Sequence, residues 1–143
     1  TIEAYGSPIE FDVNDGTASP LEGLTIGQQP RKPFGFSYRT ILGNDTDKNE
    51  FGYNLKLVYD ALAAPSEKAY ATINESPEAM TLSWTFTTTP VEVAGFKPTA
   101  ILTVNSTVFT KAKMKALEDV LYGTETGEAR LPLPAEVITL LTT

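Results

Sequence analysis

The chain of 143 residues contains no cysteine and no histidine. The first absence excludes disulfide staples and thiolate chemistry. Together they remove the usual zinc ligands and the commonest general base, and with it any Ser-His-Asp triad. A Ser-Lys pair stays open as a nucleophile and base. Basic residues are also scarce: 11 Lys and Arg stand against 18 Asp and Glu, for a formal net charge of −7. A protein that grips duplex nucleic acid needs a basic patch, and this balance argues against one. An acidic surface still suits a wall past which DNA slides. No apolar run approaches the roughly 18 residues of a membrane helix, and no signal peptide is recognisable. No phosphate-cradling glycine loop and no G-x-S-x-G elbow occurs.

What is present points to a folded domain. Hydrophobic residues make up 41% and charged residues 20%, a globular balance. Neither a repeat nor a low-complexity linker interrupts the chain, so a single domain over 1–143 is expected. The clearest element is the stretch SPEAMTLSWTFTTT, residues 76–89. From Met80 it alternates strictly, with Met80, Leu82, Trp84 and Phe86 on one side and Thr81, Ser83, Thr85 and Thr87 on the other. A period of two makes a strand with one apolar face and one hydroxyl face. Pro77 and Pro90 bound it, since proline donates no ladder hydrogen bond.

Taken in order, residues 1–13 predict two short strands or one bent edge, with Ile9, Phe11 and Val13 alternating. A loop over 14–23 and an irregular stretch over 24–33 follow, the latter carrying Arg31 and Lys32 in a solvated turn. Residues 34–42 (FGFSYRTIL) and 51–59 (FGYNLKLVY) both alternate and flank GNDTDKNE. They predict an antiparallel hairpin with an eight-residue acidic loop. Phe34, Phe36 and Tyr38 are expected to face the row of Tyr53, Leu55 and Leu57, leaving Arg39 and Lys56 on the opposite face. A helical turn is expected from Ser66, a short strand and turn around Gly95, and a β-branched strand over 99–108. Residues 110–122 predict a helix capped by Thr110 and ended by Gly123, with Met114, Leu117 and Leu121 on its buried stripe. Lys111, Lys113 and Lys115 fall near its positive end, where a solvated face is the expected role. After an extended LPLP, residues 135–141 form a final strand or helical turn. The pattern as a whole predicts a mainly β fold, a β-sandwich or barrel-like core with one flanking α-helix near the C-terminus.

The weak motifs do not add up to a site. Asp45, Asp47 and Asn49 open like a calcium loop, but Glu50 stands where glycine is needed and Lys56 where the twelfth-position acid belongs. An Asp-rich hairpin tip is the expected structure. Asn44, Asn74 and Asn105 begin N-x-[ST] triplets, which say little without a secretory context. Glu75 and Glu78 form a carboxylate pair in a Pro-flanked loop, where a surface role is expected. No catalytic, cofactor-binding or metal-binding residue is assigned.

Several stretches resemble a known family: IGQQPRKPFGFSYRTILGNDT, GYNLKLVY, APSEKAYATINESPEAMTLSWTFTTTPVEV, GFKPTAILTV, ALEDVLYGT and LPLPAEVI. They are similar to the major tail protein, the tail tube subunit, of long-tailed, non-contractile bacteriophages and their prophages. The likeness runs from about Ile26 to about Ile138. The resemblance implies a structural virion protein, made in the bacterial host cytoplasm and carried in the phage tail. It implies hexameric rings whose inner strands line a lumen, stacked into a tube that conducts DNA at ejection. Its partners would be further copies of itself, other tail proteins and DNA in non-specific passage, with no membrane, no cofactor and no enzymatic activity. It also implies sequence ahead of TIEAY, in keeping with a first residue that is Thr1. Across such a tube the acidic hairpin would sit between subunits, and Arg39 and Lys56 would meet acids across a seam. Another virion or surface β-module, a decoration or adhesin-like binding domain, is the alternative.

Overall fold

A computed structural model gives the fold, and it describes residues 1–64 and 81–142. Contacts divide the chain into two compact units. One comprises Thr1–Phe34 and Ala61–Thr88, the other Gly35–Asp60 and Thr89–Thr143.

In the first unit, strand β1 (Ile2–Ala4) lies antiparallel to β6 (Leu82–Trp84), with Ile2 opposite Trp84 and Ala4 opposite Leu82. A 3-10 turn (Ile9–Phe11) leads into the short helix α1 (Asp12–Asp15), which stops at Gly16 in the left-handed conformation. A Cβ on Gly16 would come within 2.9 Å of the Gln29 carbonyl oxygen, so the position needs glycine for both space and angle. Strands β2 (Ala18–Leu21) and β3 (Leu24–Ile26) then form a hairpin. Strand β7 (Phe86–Thr88) pairs with the last residues of β5 (Lys48–Ala63), Ala61 opposite Thr88 and Ala63 opposite Phe86.

The core of this unit is built on Trp84, Leu82 and Ala63, against Ala4, Phe11 and Phe86. Its rings meet edge to face in a chain: Trp84 on Phe11 at 5.5 Å, Phe11 on Phe34 at 5.4 Å, Phe34 on Phe86 at 5.6 Å. This geometry sets the positive ring edge against the negative ring face. The indole N–H of Trp84 donates to Asp15 Oδ1 at 2.8 Å, so the buried ring leaves no orphan donor.

Several expectations change in this unit. The strand expected over 76–89 is two strands, β6 and β7, separated at Thr85, because its halves pair with different partners. The alternation survives the break: Leu82 and Trp84 are buried, Phe86 is half-buried, and Thr85 and Thr87 are exposed. Residues 76–80, including Met80, lie outside the described residues, as does the helical turn expected from Ser66. The alternation of Ile9, Phe11 and Val13 does not become a strand. The chain coils there, and Phe11 stacks on Trp84. The stretches read as loop and irregular contain the β2–β3 hairpin, whose turn at Glu22 and Gly23 has glycine at φ +83.

In the second unit, β5 lies between β4 (Phe34–Asn44) and β8 (Ile101–Asn105). The β5–β8 register sets Leu55 opposite Val104 and Leu57 opposite Leu102. Helix α2 (Lys111–Tyr122) has the expected N-cap, Thr110 accepting the Lys113 N–H, and the expected glycine at its end. Met114, Leu117 and Leu121 are its buried residues, as their spacing predicts. Helix α3 (Pro134–Thr142) follows and adds Val137, with Leu140 and Leu141 beside it, to a core of Leu55, Leu57, Tyr59, Val104 and the α2 stripe. Proline at its first position has the right φ and lacks an N–H that would go unused there.

Two corrections concern the hairpin of this unit. Its turn is three residues, 45–47, because β4 runs to Asn44 and β5 starts at Lys48. Its faces are also offset from the expected ones. Arg39 packs on Tyr53 and Tyr122, and a Cβ on Gly35 would strike Leu131, so Gly35 and Arg39 face the helices. Phe36 and Tyr38 stack on each other on the opposite side, where Lys56 lies over Tyr38. A shift of one residue in pairing exchanges every side chain between faces, and sequence alternation alone does not set it.

The fold class is corrected as well. Among the described residues the chain is mixed α/β with three α-helices rather than one, and its sheets are open rather than closed into a barrel or sandwich. Helices α2 and α3 cover the apolar face of the β4–β5–β8 sheet, so no second sheet is needed to bury it. The residues that misled are Val137, Ile138 and Thr139, β-branched but lying on a helix that tertiary packing holds.

Candidate functional site

Polar chemistry in the second unit concentrates where β4, β5 and α2 meet. Arg39 reaches from β4 and pairs with Glu118 of α2, Nη2 to Oε1, at 2.9 Å. The Arg39 Nε–H donates to the Tyr122 hydroxyl at 3.3 Å, and the guanidinium lies 4.7 Å from the Tyr53 ring centre. The Tyr53 hydroxyl donates to Glu118 Oε1. Burial first, then the bond to Glu118, pushes the Tyr53 phenol up to about 12. Deeper in the core, Tyr59 donates to the Pro132 carbonyl oxygen at 2.9 Å, and burial followed by the charge of Glu136 pushes it up to about 12. The Arg39 carboxylate partner expected across a subunit seam is therefore Glu118 of the same chain.

Beside this cluster is an open cleft of about 370 Å³, with Phe51, Ser106, Lys111 and Lys115 on its walls. Ser106 and two lysines line this one cleft, so it bears on the Ser-Lys pair left open by the sequence. Ser106 Oγ accepts the Tyr53 N–H at 2.9 Å, and Lys115 Nζ is held by both oxygens of Asp119 at 2.7 Å. No Ser-Lys hydrogen bond is formed among the described residues. Tyr53, Arg39, Glu118 and Tyr122 beside the cleft are partnered with one another, which suits bracing of the hairpin against the helix.

The other singled-out residues are placed as follows. Asn44 Oδ1 accepts the backbone N–H of Thr46 at 3.0 Å and of Asp47, and its amide donates to Asp47 Oδ2 at 2.9 Å. The acidic tip thus uses its side chains to form its own turn. Asn105 Oδ1 likewise takes the N–H and the hydroxyl of Thr107. Asn74, Glu75 and Glu78 lie outside the described residues. Among the described residues no three acids come together as a metal-binding group. The lysines of α2 differ from the expected solvated face. Lys113 donates to the Leu141 and Thr142 carbonyl oxygens at 2.9 and 3.2 Å and so ties down the end of α3, while Lys115 is paired and Lys111 is exposed. Sequence reading had no signal for that tie, since its acceptors are backbone atoms of a distant helix.

Large apolar side chains are exposed in both units. Tyr5, Ile9, Leu21, Leu24 and Ile26 are exposed in the first unit, and Phe96, Ile101, Val108 and Leu133 in the second. Strands β4 and β8 each pair on one side with β5, which leaves their outer edges free among the described residues. No family model matches the chain, and no curated protein or solved structure matches it significantly.

Proposed function

We propose that the chain is a self-assembling structural subunit, the tail tube protein of a long-tailed, non-contractile phage or prophage. The observation that carries the reading is the sequence resemblance from about Ile26 to about Ile138. The open sheets with free outer edges and the large exposed apolar side chains support it. Open sheet edges of this kind are liabilities in a protein that stays alone, and contact surfaces in one that assembles. The self-partnered polar cluster supports a structural rather than a catalytic role. In this reading, copies form hexameric rings that stack into a tube, other tail proteins close its ends, and DNA passes through without being held.

Negative-stain microscopy of concentrated protein tests the proposal. Rings or tubes of uniform diameter are expected. Monomers and small oligomers at every concentration would sink it and favour a decoration or adhesin-like module.

A further inference from the structure

Strand β4 carries almost nothing apolar toward the helices it lies beside. A period of two puts Gly35, Ser37, Arg39 and Ile41 on its helix-facing row. Gly35 has no side chain, and the space a Cβ would need is taken by Leu131. Ser37 offers a single hydroxyl, and Ile41 is 66% exposed. Among the described residues no β4 side chain from Gly35 to Asn44 belongs to a hydrophobic core cluster, whereas β5, β8, α2 and α3 all contribute to one. A strand of an antiparallel sheet is ordinarily held by its ladder and by one face packed on the core. Here β4 has the ladder to β5 on one side, and its other edge is free among the described residues.

Arg39 stands in for the missing apolar face. Its guanidinium is 2.9 Å from Glu118, bonds the Tyr122 hydroxyl at 3.3 Å, and lies 4.7 and 5.4 Å from the ring centres of Tyr53 and Tyr122. An exposed ion pair by itself contributes little, and these two side chains are 42% and 23% exposed. The difference is that one planar group meets a carboxylate, a hydroxyl and two rings together. The Glu118 oxygen it uses also takes the Tyr53 hydroxyl, which joins β5 to the same point. Glu118 and Tyr122 are four positions apart and so share one face of α2. Edge strand, neighbouring strand and helix are thus fixed to one another by a single side chain of β4.

We infer that Arg39 is a positioning residue: it holds β4 on α2 and thereby sets the free outer edge of the strand for contact with a second copy. The inference rests on the self-assembly reading and names the side chain on which the geometry of that edge depends. A loosely held edge has to be ordered at the moment of contact, and that ordering costs affinity. A braced edge is ordered beforehand. Because the brace lies outside the hydrophobic core, its loss should be felt at β4 and in assembly rather than in the stability of the whole chain.

Amide hydrogen exchange and an assembly titration test it together. Arg39→Gln removes the charge and the fork but keeps a polar side chain. In the unassembled chain it should speed exchange of the β4 amides bonded to β5 about tenfold and leave those of β8 unchanged. Melting should move by only a few degrees, while the concentration needed for assembly rises about tenfold. Arg39→Lys keeps the charge without the fork or the ring contacts and should recover only part of both effects. Lys56→Gln, on the opposite face, should change neither. Unchanged β4 exchange in Arg39→Gln overturns the brace, and faster exchange spread evenly over β4, β5 and β8 makes Arg39 a general stability residue and overturns it as well. If β4 loosens and assembly is unaffected, the edge role is wrong and the tube reading stands. If the native chain never assembles, the tube reading and the edge role both fall, whatever the exchange shows of the brace.

Discussion

At the scale of the residue, Trp84 organises the first unit. It ends the aromatic chain and is tied to Asp15 through its indole N–H. Trp84→Ala should lower stability by about 3–5 kcal/mol, because the packed rings around it cannot close the cavity. Urea unfolding measures it, and a near-native midpoint would show that the core does not depend on the indole. Tyr59 supplies a pH effect. Its phenol ionises near 10 in the unfolded chain and at about 12 in the fold, so the fold favours the neutral form. The corresponding stability is complete below pH about 10 and is lost as pH rises toward about 12, a loss of order 2 kcal/mol. Tyr53 shifts in the same direction. Unfolding curves between pH about 9 and about 11.5 should therefore fall steeply, and Tyr59→Phe should remove much of the slope. A variant that keeps the whole slope would place the effect elsewhere. Trp84 was legible as a core residue from its place in an alternating strand. Its bond to Asp15 was not, since 69 positions separate the two and no local pattern links them.

At the scale of the element, helix α2 was legible throughout: its cap, its buried stripe and its glycine stop all follow from local spacing. Leu117→Asp should abolish folding by burying an unpaired charge. The lysines beside it now separate by role. Lys113→Ala should loosen the end of α3 and lower melting by several degrees, since it frees two carbonyl acceptors from a charged donor. Lys111→Ala should leave melting unchanged. Equal behaviour of the two lysine variants would show that the tie to α3 carries no weight. The β4–β5 hairpin was legible as a hairpin but not in its register. Both faces of β4 carry a large side chain at intervals, Phe36 and Tyr38 on one, Arg39 and Ile41 on the other, so hydrophobicity alone does not choose between them. The choice is made by Gly35, which lets Leu131 approach closely, and by Arg39, which finds Glu118 and two rings. In the sequence, helix α3 reads as either a strand or a helical turn, because its β-branched composition and its helical spacing disagree.

At the scale of the whole molecule, charge governs the proposed passage of DNA. With 18 acids against 11 bases, a ring of such subunits carries a strong negative charge. Of the cations on the described residues, Arg39, Lys115 and Arg130 are paired with acids, and the others are spread over both units rather than gathered in one basic row. At physiological salt, charges more than roughly 8 Å apart are largely screened, so the local lining matters more than the total. Titrating assembled tubes with short duplex DNA should show weak binding at low salt and none at physiological salt. Tight binding with a steep salt dependence would replace the sliding conduit with a DNA-holding role. The proposed function rests on the resemblance rather than on any pattern of the residues. Composition and spacing gave a β-rich domain without a catalytic constellation, and assembly depends on surfaces whose pattern is set by copies not in the chain.

The pairing of β1 with β6 bears on the order of events at the ribosome. Thr1 and Thr85, whose hydroxyls meet at 3.4 Å, are 84 positions apart. Closing a loop of that length costs about 4 kcal/mol before any contact offsets it. At roughly 5–20 residues per second, the first strand waits several seconds for its partner to be made. During that wait Ile2 and Ala4 lie unpaired beside other nascent chains on the same message, each offering an identical strand. The first unit thus waits for Trp84 to be made, and its earliest hazard is a neighbour's unfinished copy rather than its own partner.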